Sequence, residues 1–417
     1  MEAPIGWREG TLHVEALDCE GIAAEYGTPL FVYSRAAIER AWRRFGQALG
    51  AHPHLVCYSV KANSNLAVLD VLARLGSGFD IVSGGELKRV LAAGGLPERI
   101  VFSGVGKSVR EIVSALEAGI RCFNVESAAE LERIAEIAAA HGAVAPVSFR
   151  INPDVDAGTH PYISTGLKEN KFGISMPDAA PLYRRAAELD AIDVRGIDCH
   201  IGSQLTDVAP YRDALDRLLE LVDALDEEGI GLSHIDVGGG QGIRYRHEEP
   251  LDIDAWARVV LEGIGTRALE LVVEPGRSIV GAAGVMLTRV EYLKRNDERR
   301  FAIVDAAMND LIRPALYDAW QAIEPVSPRR SAEGARVHDV VGPVCESADF
   351  LGKGRELDLR EGDLLAVMTS GAYASVMSSN YNTRPRAAEV LVDGDTAHLV
   401  RAREETEALF AREYLLP

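Results

Sequence analysis

The chain has 417 residues, 47% hydrophobic and 26% charged, ordinary values for a globular protein with room for two or three domains. Its formal net charge of -19 argues against nucleic acid or an anionic membrane as partner, while leaving the local charge of any pocket open. The five cysteines (Cys19, Cys57, Cys122, Cys199 and Cys345) are widely spaced with no Cys-x-x-Cys pair, which excludes a disulfide framework or a zinc site of the usual spacing.

The first ten residues lack the apolar stretch of a signal peptide, and no run is long enough to span a bilayer, so a cytoplasmic protein is expected. Thr28-Pro29 then precedes an extended apolar run, Leu30–Tyr33. After it, β-branched or aromatic runs alternate with Ala-, Leu- and Glu-rich stretches of helical period. The strand candidates are Leu55–Lys61, Phe79–Ser83, Ile100–Ser103, Cys122–Glu126, Val147–Asn152, Val194–Ile201, His234–Gly238 and Leu271–Glu274. Helices are expected over Leu66–Leu75, Glu86–Ala93, Ala128–His141, Leu182–Leu189, Tyr211–Glu228 and Ala255–Ile264. Ser127 with Glu130 has the spacing of a capping box. Eight strand–helix units favour a (β/α)8 barrel over a doubly wound open sheet.

The alternation stops after Gly276. Val285–Tyr292, Phe301–Val304, His338–Val341, Leu364–Met368 and Ala388–Val392 read as strands of a second, all-β domain, with a hairpin turn at Asp393-Gly394-Asp395. The early strand has no barrel partner and is expected to join that domain. The expected boundaries are 1–35 for the N-terminal segment, 36–280 for the barrel and 281–417 for the β domain.

Catalytic groups of such barrels lie at the C-terminal ends of the strands. Lys61 ends the first strand; alone it reads as a lysine reaching for solvent at the rim, or as an amine nucleophile toward a carbonyl. His200 follows the sixth strand and reads as a buried structural histidine or as a ring lying against a planar cofactor. Ser203 sits in a glycine turn, where a hydroxyl can reach a phosphate. Gly238-Gly239-Gly240 follows the seventh strand and lets backbone N–H groups approach an anion. Its spacing departs from the dinucleotide fingerprint, and Gly76-Ser77-Gly78 reads only as a turn. Glu274-Pro275-Gly276-Arg277 ends the eighth strand, as a plain ion pair or as a carboxylate for a pyridine nitrogen. No metal site is expected, because the close pair His52 and His54 precedes the first strand. An amine, a ring stacker, a phosphate cradle and a carboxylate are together what pyridoxal phosphate requires.

These segments, in this order, resemble the alanine-racemase-like pyridoxal-phosphate enzymes and, more narrowly, the diaminopimelate decarboxylases. The resemblance extends to His160–Gly166, Asn170–Gly173, Asp310–Tyr317, Gly342–Glu346 and Gly371-Ala372-Tyr373. It departs from the pattern at Gln241, where the family commonly has an apolar residue.

The resemblance implies a (β/α)8 barrel and a β-barrel-like domain, with pyridoxal 5'-phosphate held as a Schiff base on Lys61. It implies that His200 stacks on the ring, that Ser203, Gly239, Gly240, Gly276, Arg277 and Tyr373 help to hold the cofactor, and that Glu274 pairs with its ring nitrogen. It implies substrate contacts from Arg277, Arg313, Tyr317, Glu346 and Tyr373, and a proton donor in Cys345. Cys345 and Glu346 would come from the partner subunit, which implies a homodimer. The implied reaction is decarboxylation of meso-2,6-diaminopimelate to L-lysine. For attack, the Lys61 amine must be neutral, which cationic neighbours and partial burial would favour. Arg277 and Arg313 suit the distal carboxylate of diaminopimelate, which ornithine, arginine and D-lysine lack; decarboxylation of one of those is the nearest alternative. A racemase, a Schiff-base aldolase and a non-catalytic binding protein are weaker alternatives.

Overall fold

The computed structural model describes residues 3–155, 171–328 and 334–417. His160–Gly166 and Asn170, which the sequence singled out, lie outside the described residues. Two compact units are present: one takes the chain up to Glu39, Tyr245–His247 and Ile279–Pro417, the other Arg40–Arg244 and Glu248–Ser278.

The second unit is a closed barrel of eight parallel strands. They are β1 (His54–Ser59), β2 (Gly78–Ile81), β3 (Ile100–Phe102), β4 (Cys122–Val125), β5 (Ala145–Asn152), β6 (Ile192–Asp198), β7 (His234–Asp236) and β8 (Glu270–Val273). Closure comes from β8 pairing with β1, with Leu271 opposite His54 and Val273 opposite Val56. The strands read as continuous apolar runs because both faces are covered, one by helices and one by the barrel interior. Alternation along them stacks two layers inside. The lower layer is apolar, a cluster of Leu55, Cys57, Val101, Cys122 and Val272. Two residues further on, each strand contributes to a polar upper layer: Ser59, Asp80, Ser103, Asn124, Arg150, Asp198, Asp236 and Glu274, all buried.

The helices around the barrel include α1 (Leu66–Arg74), α2 (Gly84–Ala92), α3 (Val109–Ala118), α4 (Ala128–Ala140), α5 (Met176–Ala187), α6 (Ala209–Glu227) and α7 (Ile253–Ile264). Helix α3 was not anticipated, yet it carries the complete capping box, Ser108 with Glu111. At α4 the expected box is half made. Ser127 accepts from the Glu130 N–H, but the Glu130 carboxylate takes the Glu126 N–H (2.8 Å) and the buried Lys107 ammonium (2.8 Å). Helix α5 begins six residues before the expected Leu182, running through Pro181.

The first unit is mostly β rather than all-β, since it includes the helices Cys19–Tyr26 and Arg313–Tyr317. Its main sheet runs Phe350–Leu357, Arg336–Val341, Arg300–Val304, Gly284–Arg295, Leu30–Ser34, Ala388–Asp393, Thr396–Arg401. The early strand Leu30–Ser34 lies antiparallel to Gly284–Arg295 and parallel to Ala388–Asp393, so it does belong to this sheet. The turn after Ala388–Asp393 is a two-residue hairpin with Asp393 opposite Thr396. Leu30, Val32, Val285, Leu287, Ala366, Val390 and Val392 form part of its buried core.

Candidate active site

Lys61 sits just past β1, in the single turn Val60–Ala62. Its Nζ donates to Asp80 Oδ2 at 2.6 Å; the lysine side chain is 33% exposed and the aspartate fully buried. The expected cationic neighbours are therefore not what the amine meets first: its hydrogen-bonded partner is an anion. Asp80 Oδ2 also accepts from Ser59 Oγ at 2.8 Å, which fixes the carboxylate. Another lysine near this end, Lys107, is 1% exposed and donates to Gly104 O, Asn124 O and Glu130 Oε1. All three of its protons are spent on structure, and its side chain is far more buried than that of Lys61.

Beside Lys61 the chain after β8 passes close. A Cβ on Gly276 would lie 2.9 Å from the Ser59 Cβ and 3.0 Å from that of Ala62, so only glycine lets this segment lie against the lysine turn. Glu274, buried, is held loosely, with Ser103 Oγ and Asn124 Nδ2 each 3.4 Å from Oε1. Burial pushes its carboxyl well above the usual range, and Asp236, Asp80 and Asp198 push it further. Asp236 is raised to about 7, mainly by burial. Asp198, Asp236 and Glu274 bring carboxylate oxygens within 4.8 Å of one another. Histidine and cysteine spacing in the sequence gives no sign of that trio. So many carboxyls taken out of water hold protons unless a cation compensates them.

His200 is partly buried, and its Nδ1 accepts the Gly239 N–H at 3.2 Å. Burial, then Lys61 and Arg150, lower its pKa well below 6.5, so the imidazole is neutral with the proton on Nε2. That hydrogen bond ties the ring to the glycine turn. A Cβ on Gly239 would fall 2.1 Å from the Glu274 carbonyl oxygen, and one on Gly240, at φ +95°, 2.3 Å from the Gly202 oxygen. Ser203 and Arg277 meet, with Nη2 3.1 Å from Oγ. Lys61, His200, Ser203, Gly239, Gly240, Glu274, Gly276 and Arg277 thus all belong to the barrel unit, on the segments that leave β1, β6, β7 and β8.

Arg313, Tyr317, Cys345, Glu346 and Tyr373 belong to the other unit. Arg313 is 8% exposed, with its guanidinium 4.6 Å from the centre of the Tyr245 ring and Nη1 3.5 Å from Gln321 Oε1. Cys345 and Glu346 are exposed on a tethered loop. The Cys345 N–H donates to Asn382 Oδ1 (2.8 Å), and buried Asp349 takes the N–H groups of Val344 (2.8 Å) and Met308 (2.7 Å). Tyr381 donates to Glu346 at 3.4 Å. Tyr373 sits at φ +54°, a costly backbone for a bulky side chain, and such strain concentrates at functional sites.

Asp80, Asp198, Asp236, Arg150, Asp349 and Asn382 escaped the sequence reading. For the first four a signal existed: each is an ionisable residue within the last three positions of its barrel strand, the end where barrel chemistry lies. Asp349 and Asn382 carry no such signal, because their partners are backbone N–H groups chosen by loop geometry.

Residues 35–281 match the family model described as pyridoxal-dependent decarboxylase, pyridoxal binding domain. A diaminopimelate decarboxylase of Pseudomonas aeruginosa is 61% identical over 411 residues, covering 99% of each chain. The crystal structure of diaminopimelate decarboxylase from Helicobacter pylori complexed with L-lysine has a TM-score of 0.91 at 43% identity, over 94% of this chain and 98% of that one. That from M. jannaschii, also in complex with L-lysine, reaches 0.94 at 37% identity, over 99% and 98%.

Proposed function

The chain belongs to the diaminopimelate decarboxylase family of pyridoxal-dependent decarboxylases, and we infer that it converts meso-2,6-diaminopimelate to L-lysine and carbon dioxide, the last step of lysine biosynthesis. The observation that carries the reading is Glu274, a buried carboxyl among three buried aspartates that calls for a cationic partner. A protonated ring nitrogen is such a partner. The other residues fit pyridoxal 5'-phosphate as well: an amine at a barrel rim, and a glycine turn that leaves no space for side chains where a phosphate would approach backbone N–H groups.

When bound, the cofactor supplies an aldehyde for the substrate amine and a sink for the electron pair released with carbon dioxide. The remaining work falls to the chain. Lys61 is the amine that would attach the cofactor, and Asp80 Oδ2 is placed to take a proton from its Nζ. His200, neutral and fixed through Gly239, presents a flat uncharged ring. Ser203, Gly239, Gly240, Gly276, Arg277 and Tyr373 would hold the cofactor. Glu274 would share a proton with its ring nitrogen. Arg277, Arg313 and Tyr317 bind substrate carboxylate, Glu346 binds the distal ammonium, and Tyr373 lies beside it. After carbon dioxide has left, Cys345 Sγ would give its proton to the same carbon and recover one from solvent. Cys345 and Glu346 act across a homodimer, in the partner's site, and the enzyme works in the cytoplasm.

Arg313 separates this reading from a decarboxylase of ornithine, arginine or D-lysine, because its guanidinium fork suits the distal carboxylate that those substrates lack. Release of carbon dioxide from each substrate by the cofactor-loaded protein tests it; preference for a substrate without the distal carboxylate overturns it.

A further inference from the structure

Several exposed arginines of the barrel unit take partners, among them Arg184 with Glu228, Arg267 with Asp223 and Arg44 with Asp254, at 2.5–2.6 Å. One region of the β unit instead gathers basic side chains together. A cleft of about 500 Å³ is lined by Lys294, Arg295, Arg300, Arg336, His338 and Arg360, with Asp358 as its one carboxylate. Among the described residues Lys294, Arg295, Arg300 and Arg336 form no ion pair, and Arg360 has only a long contact to Asp363 at 3.5 Å. This concentration of positive charge sits on a chain with 63 acidic and 44 basic residues.

The sheet register builds the cluster. Arg295 lies directly opposite Arg300 across the antiparallel pair, and like charges so placed repel. The parallel neighbour aligns Phe301 with Asp339, which brings His338 beside Arg300, with Arg336 two residues away on the same face. His338 is 6% exposed, and its Nδ1 faces the Arg336 carbonyl oxygen at 3.0 Å, so that ring is locked in place. Leu293, Phe301 and Leu357 supply apolar walls. Fixed strands therefore hold guanidinium groups around one concave space, where each lowers the free energy of an anion and raises that of its neighbours.

We propose that this cleft binds a small, multiply charged anion, phosphoryl or polycarboxylate, at a site separate from the residues assigned to decarboxylation. Guanidinium forks suit either chemistry.

The test uses the full-length protein loaded with pyridoxal phosphate, so that the glycine turn is filled and cannot take up the probe. Pyrophosphate and citrate are titrated separately by calorimetry, which distinguishes the phosphoryl from the carboxylate source. The expected result is saturable binding of at least one probe, weaker at high salt. It should weaken at least about tenfold in the double variant Arg300→Gln, Arg336→Gln, with turnover of diaminopimelate unchanged. These side chains lie at the surface, and a melting curve confirms that the variant folds. Absence of saturable binding at millimolar probe, or equal binding by the variant, overturns the proposal. So does a fall in subunit association in the variant by sedimentation, since the cations would then face a second copy of the chain.

Discussion

Replacing Gly239 by alanine tests whether the glycine turn and the Glu274 segment form one rigid cradle. The added Cβ would lie 2.1 Å from the Glu274 carbonyl oxygen, where ordinary contacts begin at 3.4 Å. Both sides of the clash are main chain, so neither can rotate away. The turn or the Glu274 segment must shift by about 1 Å, and displacements of that size in a positioned site cost about 10²-fold. The φ of Gly239 lies outside the left-handed region, so the effect is steric rather than conformational. Cofactor affinity is read by titrating the apo-protein with pyridoxal phosphate and following absorbance. Gly394→Ala is the control: Gly394 has φ +64° and nothing within 4 Å of a Cβ, so that variant should lose about 1 kcal/mol of stability and no cofactor affinity. If Gly239→Ala, folded, bound cofactor within about twofold of the parent, the cradle argument would be wrong.

Cys345→Ala should keep cofactor and substrate binding but lower kcat by about 10²- to 10⁴-fold, the usual range for a lost general acid; stopped-flow absorbance would show binding intact, and an unchanged kcat would assign the proton elsewhere. Arg313→Lys keeps the charge but loses the fork, so KM for diaminopimelate should rise by about tenfold or more while the cofactor spectrum stays the same; steady-state kinetics would contradict this if only kcat moved. His234 is buried at the N-terminal end of β7, neither ring nitrogen has a partner, and its pKa is lowered to about 3 by burial, Arg121 and Arg195. The unfolded chain binds that proton first as pH falls through 6.5. Stability should therefore be lost on acidification, by about 2–3 kcal/mol between pH 7 and pH 4.5 from this residue. His234→Phe should flatten that limb in urea titrations; an unchanged slope would refute the assignment.

The barrel was legible because eight apolar runs recur with helices between them, and because residues at the ends of strands stand out against that pattern. Lys61, His200 and Glu274 could each be found this way. The upper layer of the lumen was harder, since Asp80, Asp198 and Asp236 sit in their strands as polar residues that period alone does not explain. Their pairing with Lys61 and Glu274 depends on which strands become neighbours when the barrel closes. Helix α3 was missed despite Ser108 and Glu111, because its Val109, Ile112 and Val113 resemble a strand. Phe350–Leu357 was missed for the opposite reason: Gly352, Gly354 and three charged residues break the alternation, and only pairing with Arg336–Val341 makes it a strand. The tethering of Cys345 by Asn382 and Asp349 joins residues through backbone N–H groups, which a sequence does not announce.

In the proposed reaction Lys61 carries the chemistry, and Arg313 with Glu346 selects a substrate charged at both ends. Carbon dioxide release measured for meso-diaminopimelate, ornithine, arginine and D-lysine, with the parent and with Lys61→Ala, tests both parts together. Diaminopimelate should be preferred by at least about 10²-fold in kcat/KM, and Lys61→Ala should lose activity on all four. Comparable turnover of a substrate lacking the distal carboxylate, or activity surviving in Lys61→Ala, would contradict the account.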